Sequence, residues 1–405
     1  MTSLAAPARV IASADEALSA ATELAGRFAA GATARDRDRR LPFAEIDELS
    51  ASGLLAATVP ARFGGADLPP SILAEVVRRL AAADPSIAQI PHSHFVYLNV
   101  LRFGGTEEQQ ARYFAGVLAG GRIANAQSER GGRTVADVAT TLAPGADGAL
   151  RLDGEKFYCT GSLFADTLAV LARSTDAPGA DGGEQVIAFV PADAPGVTVV
   201  DDWNGMGQRT TGSGTVRFDC VLVAPDAVVP RSPALSEPTG YGAFAQLLHV
   251  AIDAGIARGA LDAAAEFVRT KSRPWFEAGV DRADADPLVI QRFGELTVTV
   301  RAAEAALQAA GHAVDTVFDG PGTESAQEAS LAVATAKVLA DRAATEVSSA
   351  LFEVSGTRSA GEDLDLHRFW RDARTHTLHD PVRFKVWHLG RNTLQGAAPP
   401  LHGVL

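Results

Sequence analysis

The sequence predicts a mainly α-helical protein with a central β domain. Up to about Gly120 apolar residues recur at helical spacing, and between Arg122 and about Val229 short β-rich runs are separated by Gly, Pro and Asp. Long amphipathic stretches then return after a proline-rich segment. We therefore predict three domains in the order helices, sheet, helices: an N-terminal helical domain at 1–120, a middle β domain at 121–232 and a C-terminal four-helix bundle at 233–405.

The N-terminal domain is predicted to contain five helices, because helix-period apolar positions or strong helix formers fill residues 14–30, 43–51, 71–83, 91–103 and 106–119. The last of these begins with Thr106-Glu107-Glu108-Gln109. This pattern is typical of a capping box, in which the side chains of Thr106 and Gln109 each bond the other's backbone N–H.

The middle domain is predicted to be a sheet because runs such as 168–171 and 186–190 are rich in β-branched and apolar residues and are bounded by turn residues. A linker containing Pro230, Pro233 and Pro238 follows. The bundle is predicted from amphipathic stretches at 241–272, 287–318 and 324–355 and from a shorter fourth stretch after Pro381.

Composition excludes several classes of function. The 405 residues are 47% hydrophobic and 21% charged, so the chain can bury a large core. The formal charge of -13 argues against a surface that neutralises a nucleic acid. Cys159 and Cys220 lie far apart and outside any metal-ligand spacing, so the sequence indicates neither a disulfide framework nor a zinc site. Charged residues interrupt the alanine-rich N-terminus, and we find no apolar run long enough for a membrane span. We expect a soluble cytoplasmic protein.

The best candidate for chemistry is the segment Thr375-His376-Thr377-Leu378-His379-Asp380-Pro381, where two imidazoles and a carboxylate lie within five residues. Imidazoles exchange protons near neutral pH, and an adjacent carboxylate can fix one imidazole tautomer. His376 and His379 would share a face of a helix, so a metal pair is conceivable. No third ligand is evident, and we predict no metal site.

Two further imidazoles, His92 and His94, open the helix that follows Pro91. Because they are two residues apart, they lie on different helical faces. One interpretation is a hydrogen-bonded core histidine beside a solvent-exposed one, and the other is an active-site role. Four more histidines have no chemical neighbours in the sequence and are interpreted as structural: His249, His312, His367 and His402.

The sequence contains none of the common nucleotide-binding or serine-nucleophile motifs that would indicate a different site. No G-x-G-x-x-G follows a strand, no G-x-x-x-x-G-K-[ST] occurs, and no serine nucleophile elbow is present. Arg269, Lys271 and Arg273 cluster at the end of the first bundle helix. They are explained either by the negative end of the helix dipole or as a phosphate clamp, for which planar guanidinium groups are suited.

Taken in order, these segments resemble the acyl-CoA dehydrogenase superfamily across essentially the whole chain, through KFYCTG at 156–161, Ser-Glu-Arg at 128–130, GQRTTGSGT at 207–215 and RPWF at 273–276. The resemblance implies a β-barrel-like middle domain. It places Thr160 and Ser128 at a flavin ring, Arg273 at a flavin phosphate across a subunit interface, and Gly356 among the flavin-binding residues.

The departures from that superfamily point to a different reaction. Asp380 occupies the position of the dehydrogenases' catalytic glutamate, and it is one methylene shorter. Glu353 stands where they have a glutamine that contacts the dinucleotide pyrophosphate. A carboxylate would repel a pyrophosphate, which disfavours FAD and fits the shorter FMN.

Three segments, at 125–132, 269–275 and 375–381, are similar instead to the subgroup of flavin-dependent monooxygenases related to dibenzothiophene monooxygenase. The resemblance implies a homotetramer that takes reduced FMN from a separate flavin reductase and uses dioxygen to oxygenate a small organosulfur or aromatic compound. His379 would act as acid and base beside Asp380, in a catalytic group that also contains His92 and His376. Asn125 would line the pocket with His92.

Two alternatives stay open at this point. One is an FAD-dependent acyl-CoA dehydrogenase in which Asp380 takes the α-proton of an acyl-CoA. The other is a flavin-binding homologue without catalytic activity.

Overall fold

The computed structural model of the chain describes residues 8–145, 147–175 and 184–402. Within them, helices precede and follow one central sheet, so the predicted order of helices, sheet and helices is confirmed. The outer ends of the first and third predicted domains, residues 1–7 and 403–405, lie outside the described residues.

Six α-helices form the N-terminal part: α1 Ala14–Asp38, α2 Phe43–Ala51, α3 Pro70–Ala83, α4 Pro85–Gln89, α5 His92–Gly104 and α6 Glu107–Leu118. The predicted capping box of α6 is confirmed, with Thr106 N 2.9 Å from Gln109 Oε1 and Gln109 N 3.3 Å from Thr106 Oγ1. The prediction ended α1 eight residues too early. The polar residues beyond 30 suggest an exposed end, but Arg35 is buried and pairs with Glu45 and Asp84.

The middle domain is a single mixed sheet whose strands are β1 Ile123–Ala126, β2 Thr141–Pro144, β3 Leu150–Lys156, β4 Thr167–Ser174, β5 Gln185–Pro191, β6 Val197–Val200, β7 Thr215–Val223 and β8 Val228–Pro230. Neighbouring strands follow the order β6-β7-β3-β2-β4-β5-β8, and β1 pairs in parallel with β4. β4 and β5 correspond to the predicted runs and have buried centres.

The C-terminal part contains α7 Ser232–Ser236, α8 Tyr241–Thr270, α9 Pro287–Asp319, α10 Thr323–Ser355, α11 His367–His376 and α12 Val382–Gln395. α8, α9 and α10 are the three predicted long helices, and α12 is the shorter one after Pro381. The predicted proline linker is in part structured, because Pro230 ends β8 and Pro233 lies in the first turn of α7, where a missing N–H costs nothing.

The sheet and the bundle meet at a close contact between α11 and the loop before β7. The backbone N–H of Gln208 donates to Oδ1 of Asp372 at 2.6 Å. A Cβ on Gly207 would lie 2.1 Å from the carbonyl oxygen of Arg371, so only a glycine allows this approach. The contact fixes the end of α11 against the middle domain.

Among the helices within the described residues, none is both long enough and apolar enough to cross a bilayer.

Candidate functional site

Four imidazoles gather where α5, α8 and the end of α11 meet. The ring of His249 lies between those of His92 and His379, with centroid separations of 4.0 Å and 3.9 Å, and the His376 ring lies 5.1 Å away. The structure therefore brings together all three predicted catalytic histidines. The interpretation of His249 as a structural residue without chemical neighbours was wrong.

His376 contacts a buried ion pair between Asp253 and Lys337. Its Nδ1 lies 2.5 Å from Oδ1 of Asp253 on α8, and the other carboxylate oxygen accepts from Nζ of Lys337 on α10 at 2.6 Å. The side chains of Asp253 and Lys337 are both 0% exposed. Neither residue was singled out in the sequence. One signal could have found them: Asp253 lies one helical turn after His249 in a stretch of α8, residues 247–257, that is otherwise apolar.

His379 has a partner of its own in Asp380, as predicted from the adjacent His and Asp. Its Nδ1 lies 3.2 Å from Oδ2 of Asp380, whose Oδ1 accepts from Nζ of Lys385 at 2.6 Å. Asp380 and Lys385 are buried, whereas the His379 side chain is 43% exposed. His379 is thus the member of the cluster that an incoming molecule can reach.

The partners of the imidazoles determine which nitrogen of each ring carries the proton. Because carboxylates only accept, His376 and His379 carry their protons on Nδ1. The bare Nε2 of His376 then accepts from Nδ1 of His249 at 3.0 Å. His92 donates from Nε2 to the carbonyl oxygen of Ala245 at 3.0 Å.

Burial keeps the three inner imidazoles neutral near pH 7. It lowers the pKa of His92 to about 3, even though the hydrogen bond to Ala245 acts in the opposite direction. Burial together with the neighbouring histidines brings the pKa of His249 well below its usual value. For His376, burial outweighs Asp253, and the pKa is lowered as well.

The carboxylates of the cluster are anions. Burial acts to raise the pKa of Asp380, but the hydrogen bond from His379 and the charges of Lys337 and Lys385 hold it well below the usual range. Asp253 also has a lowered pKa, because Lys337 and His376 outweigh the effect of burial.

His94 is a core residue. Its Nδ1 accepts from the backbone N–H of Ile123 at 3.1 Å, and its Nε2 lies 2.9 Å from the carbonyl oxygen of Leu55. Both His92 and His94 are buried, so the interpretation that one of the pair faces solvent was wrong. His94 joins α5 to β1, while His92 joins the imidazole cluster.

The contacts of His376 do not favour the metal pair of His376 and His379 that the sequence made conceivable. Both ring nitrogens of His376 already have protein partners, namely Asp253 and His249. His376 ends α11 and is buried, whereas His379 lies in the turn that follows and is partly exposed.

Three of the predicted flavin-binding residues, Asn125, Ser128 and Thr160, lie on the middle domain, and two of them, Asn125 and Thr160, are near the start of α5. A Cβ on Gly161 would lie 3.0 Å from the carbonyl oxygen of Ile90, which places the turn carrying Thr160 close to His92. The Thr160 hydroxyl lies 2.7 Å from that of Ser213. Asn125 lies two residues after Ile123, whose backbone N–H donates to Nδ1 of His94 on α5.

Several buried side-chain atoms in this region lack a hydrogen-bond partner among the described residues, including Oγ of Ser162, Oε1 of Gln89 and Oδ1 of Asn125. Oδ1 of Asn125 is buried and accepts no hydrogen bond from any described residue. A buried amide oxygen without a donor is costly, and a bound ring with an N–H group would remove that cost. The polar groups present therefore fit a flavin ring.

A buried ion pair supports the segment that carries Ser128. Nζ of Lys156 lies 2.5 Å from Oε1 of Glu129 and 3.2 Å from the carbonyl oxygen of Gln127. The same Glu129 carboxylate accepts from the backbone N–H groups of Ala139 and Thr140. Because Ser128 lies between Gln127 and Glu129, its position is set by Lys156. The sequence did not reveal this supporting role.

Arg273 and Gly356 lie together at the opposite end of the bundle. The hydroxyl of Ser272 donates to the carbonyl oxygen of Ser355 at 3.0 Å, which joins the segments after α8 and α10. Gly356 has φ 73° and open space at its Cα, as a close backbone approach by a ligand requires. Glu353, one turn earlier, pairs with Arg292 at 3.3 Å.

The two groups of predicted site residues are far apart within one chain. His249 lies near the start of α8, and Arg273 follows its end. The twenty helical residues between His249 and Arg269 span about 30 Å at 1.5 Å per residue. This distance exceeds the length of an FMN molecule. A single chain therefore cannot place His379 at the ring and Arg273 at the phosphate of the same flavin.

Comparison with protein-family models gives three matches in chain order. "Acyl-CoA dehydrogenase, N-terminal domain" matches residues 15–121, "Acyl-CoA dehydrogenase, middle domain" matches 124–221, and "Acyl-CoA dehydrogenase, C-terminal domain" matches 247–384.

Individual relatives match over nearly the whole chain. Dibenzothiophene monooxygenase of Rhodococcus qingshengii is 36% identical over 398 residues, which cover 95% of this chain and 94% of the relative. A probable FMNH2-dependent monooxygenase, SfnC of Pseudomonas putida, is 33% identical and covers 95% and 96%. The crystal structure of FMN-bound TdsC from Paenibacillus sp. A11-2 superposes with a TM-score of 0.90 at 34% identity, over 96% of this chain and 100% of TdsC.

Proposed function

The chain belongs to the acyl-CoA dehydrogenase family, and we propose that within it the protein is a monooxygenase that uses reduced FMN to oxygenate a small organosulfur compound. The observation that carries this proposal is the state of Asp380. At the position of a dehydrogenase's catalytic base, this chain has a carboxylate held as an anion between Lys385 and His379. The relatives that match over 94% or more of their own length include a dibenzothiophene monooxygenase and an FMNH2-dependent monooxygenase.

The reaction balances with one equivalent each of sulfide, dioxygen and reduced FMN. One oxygen atom enters the sulfide to give the sulfoxide, and the other leaves as water. Reduced FMN, when bound, supplies the two electrons and two hydrogens that this water requires. FMN is also the flavin in the TdsC crystal structure.

We assign the flavin ring to the middle domain, where Asn125, Ser128 and Thr160 would hold its polar edge. The unpaired Oδ1 of Asn125 supports this assignment, as does the Thr160 hydroxyl that already bonds Ser213. His379 works from the bundle side. Its Nδ1 proton is committed to Asp380, so its partly exposed ring holds or moves a proton at Nε2.

The rival reaction, removal of an α-proton from an acyl-CoA, requires Asp380 to act as the base. A general base works best when its pKa lies near the operating pH. The pKa of Asp380 is held far below that range, and Lys385 occupies one of its oxygens. This carboxylate orients His379 far better than it could accept a carbon-bound proton.

The site is assembled from two subunits. We assign the flavin phosphate to Arg273 and Gly356 of a neighbouring copy, because these residues lie about 30 Å from the imidazole cluster of their own chain. Exposed apolar side chains on α12 offer a surface for such assembly: Phe384, Val386, Trp387 and Leu394. The proposed assembly is a homotetramer that works in the cytoplasm and receives reduced FMN from a separate flavin reductase.

The decisive experiment supplies the purified protein with FMN, an NADH-dependent flavin reductase, ¹⁸O-labelled dioxygen and dibenzothiophene. We expect dibenzothiophene sulfoxide that carries one ¹⁸O atom, and no product without the reductase. A preparation that retains FAD and whose flavin is bleached anaerobically by butyryl-CoA would instead identify a dehydrogenase.

A further inference from the structure

The ion pair between Asp253 and Lys337 is the most deeply buried charged contact in the cluster. Both side chains are 0% exposed, and Oδ2 of Asp253 lies 2.6 Å from Nζ of Lys337. Burial of two charges costs several kcal/mol per ion before their attraction is counted. An apolar contact would therefore hold α8 against α10 at a lower cost in free energy. The proposed oxygenation assigns no role to this ion pair.

The pair lies at the base of an ordered chain of hydrogen bonds. Asp253 accepts from Nδ1 of His376, and Nε2 of His376 accepts from Nδ1 of His249. In this order every donor meets one acceptor, and each proton position follows from the one before it. The chain ends at His249, whose proton position is therefore set through His376 by a carboxylate on its own helix.

His249 in turn supports the ring that an incoming molecule reaches. Its centroid lies 3.9 Å from that of His379 and 4.0 Å from that of His92, with interplanar angles of 36° and 31°. A protonated His249 would repel a proton arriving on either neighbouring ring. A neutral His249 with a fixed tautomer gives His379 an uncharged ring to pack against.

We propose that Asp253 and Lys337 are positioning residues, which fix His376 and His249 as neutral Nδ1–H imidazoles and thereby hold His379 in place for proton transfer. The tautomer assignment stands on the hydrogen bonds alone. The link to His379 rests on the function proposed above.

Lys337 has a specific part in this arrangement. A buried carboxylate without a balancing cation would draw a second proton onto His376, since an imidazolium is stabilised by a nearby anion. Lys337 supplies the positive charge instead, and the pKa of His376 stays lowered by burial. Lys337 is thus needed to keep His376 neutral, whereas Asp253 is needed to fix its proton on Nδ1.

The surroundings of His376 contain other charged or titratable groups that bear on its protonation. From α8 come Asp253 and His249, from α10 Lys337 and Asp341, from α5 His92, from α12 Lys385, and from the turn after α11 His379 and Asp380. Asp341, whose pKa burial raises, lies near Lys337.

The first test is neutron diffraction on crystals of the full chain grown without flavin in D₂O near pH 7. We expect deuterium on Nδ1 of His376 and of His249 and none on Nε2 of His376. Deuterium on Nε2 of His376, on both nitrogens of His376 or on Asp253 overturns the proposal. This readout does not depend on any activity.

The second test uses the double variant Asp253→Asn/Lys337→Met, which removes both buried charges together and so avoids an unpaired one. We expect product turnover to fall on the order of tenfold or more, with the pH profile of turnover shifted and FMN affinity unchanged. Neutron maps of the variant should show His376 with mixed proton positions. The matched control is Arg258→Met/Glu304→Gln, which removes an ion pair that starts on the same helix and whose side chains are 25% and 24% exposed.

A double variant with wild-type turnover and pH profile overturns the positioning role. If the wild-type protein oxygenates nothing, the proposed function fails, and the neutron maps of the variant decide the tautomer assignment alone. Wild-type proton positions in the variant then overturn it, and mixed positions support it. A double variant that does not fold is replaced by Lys337→Met, which should carry deuterium on both nitrogens of His376. A neutral His376 in that variant contradicts the assigned part of Lys337.

Discussion

The ammonium nitrogen of Lys385 lies 2.6 Å from Oδ1 of Asp380, and both side chains are almost completely buried. Asp380 also binds Nδ1 of His379, so one carboxylate joins α12 to the partly exposed imidazole. Under the proposed function, this carboxylate orients His379 and does not act as a base.

Replacing Lys385 with Met should lower the free energy of unfolding by about 3–5 kcal/mol, because it leaves the buried Asp380 carboxylate without its hydrogen-bonded cation. Urea denaturation measures the loss. The double variant Asp380→Asn/Lys385→Met should recover part of it, since no buried charge is then left unpaired. Equal losses in the single and double variants would contradict this explanation.

Replacing His379 with Ala should reduce oxygenation about 100-fold or more, as expected on removal of a general acid or base. FMN affinity, followed by quenching of flavin fluorescence, should stay near the wild-type value. His312→Ala is the matched control, because His312 is exposed on α9 and away from the cluster. An unchanged rate in His379→Ala excludes the proton-transfer role.

Replacing Lys156 with Met should weaken FMN binding about tenfold, or ~1.4 kcal/mol, because Glu129 and the neighbouring Ser128 lose their anchor. The control is Arg151→Met on the same strand, which removes the exposed pair with Asp147. Flavin titrations of both variants measure the difference. If both variants bind FMN as tightly as the wild type, Lys156 does not position the flavin segment.

The contribution of the buried histidines to stability should fall as the pH is lowered from about 6.5 towards 4, because unfolded histidines take up protons in this range while buried ones cannot. Burial lowers the pKa of His94 to about 4 and that of His92 to about 3, so at these two residues the unfolded chain binds more protons than the folded one. Asp365 and Asp372 contribute with the opposite sign, because burial raises their pKa values to about 6 and about 8. Each such histidine contributes up to about 1.4 kcal/mol per pH unit.

Urea denaturation between pH 5 and 7 checks this slope. His94→Gln should reduce it, whereas His312→Gln should leave it unchanged. A His94→Gln variant with the same slope as the wild type would show that the His94 imidazole accepts its proton in the folded state.

Mixing two inactive variants should restore activity if the site joins two subunits. His379→Ala and Arg273→Gln, coexpressed at equal levels, should give about a quarter of the wild-type activity, since half of the paired subunits are mixed and each mixed pair keeps one complete site. Each variant alone should be much less active. Coexpressed variants no more active than the separate ones would place Arg273 and His379 in sites of the same chain.

Much of the fold could be predicted from local patterns. The long helices α8, α9 and α10 and the capping box of α6 follow from helical periodicity and from Thr106 and Gln109. The end of α1 could not be predicted in this way, because the ion pairs of Arg35 with Asp84 and Glu45 join residues distant in sequence.

The site residues likewise divide into those that local sequence predicts and those that depend on distant contacts. His379 and Asp380 could be predicted because they are adjacent, and His92 because a second histidine follows it closely. His249, Asp253 and Lys337 could not be assigned to one cluster, because α10 meets α8 only in the folded bundle, 84 residues along the chain. A polar pair one turn apart in a buried helix is the signal that the sequence did contain.

The three inner imidazoles are neutral, and the ion pairs Asp253 with Lys337 and Asp380 with Lys385 are internally balanced, so these buried groups carry no net charge together. A sulfonate or sulfinate that enters here would lose hydration without finding a counter-ion. An uncharged thioether or thiophene pays no such penalty, so under the proposed function we expect the imidazole cluster to favour uncharged sulfur compounds over their acidic oxidation products.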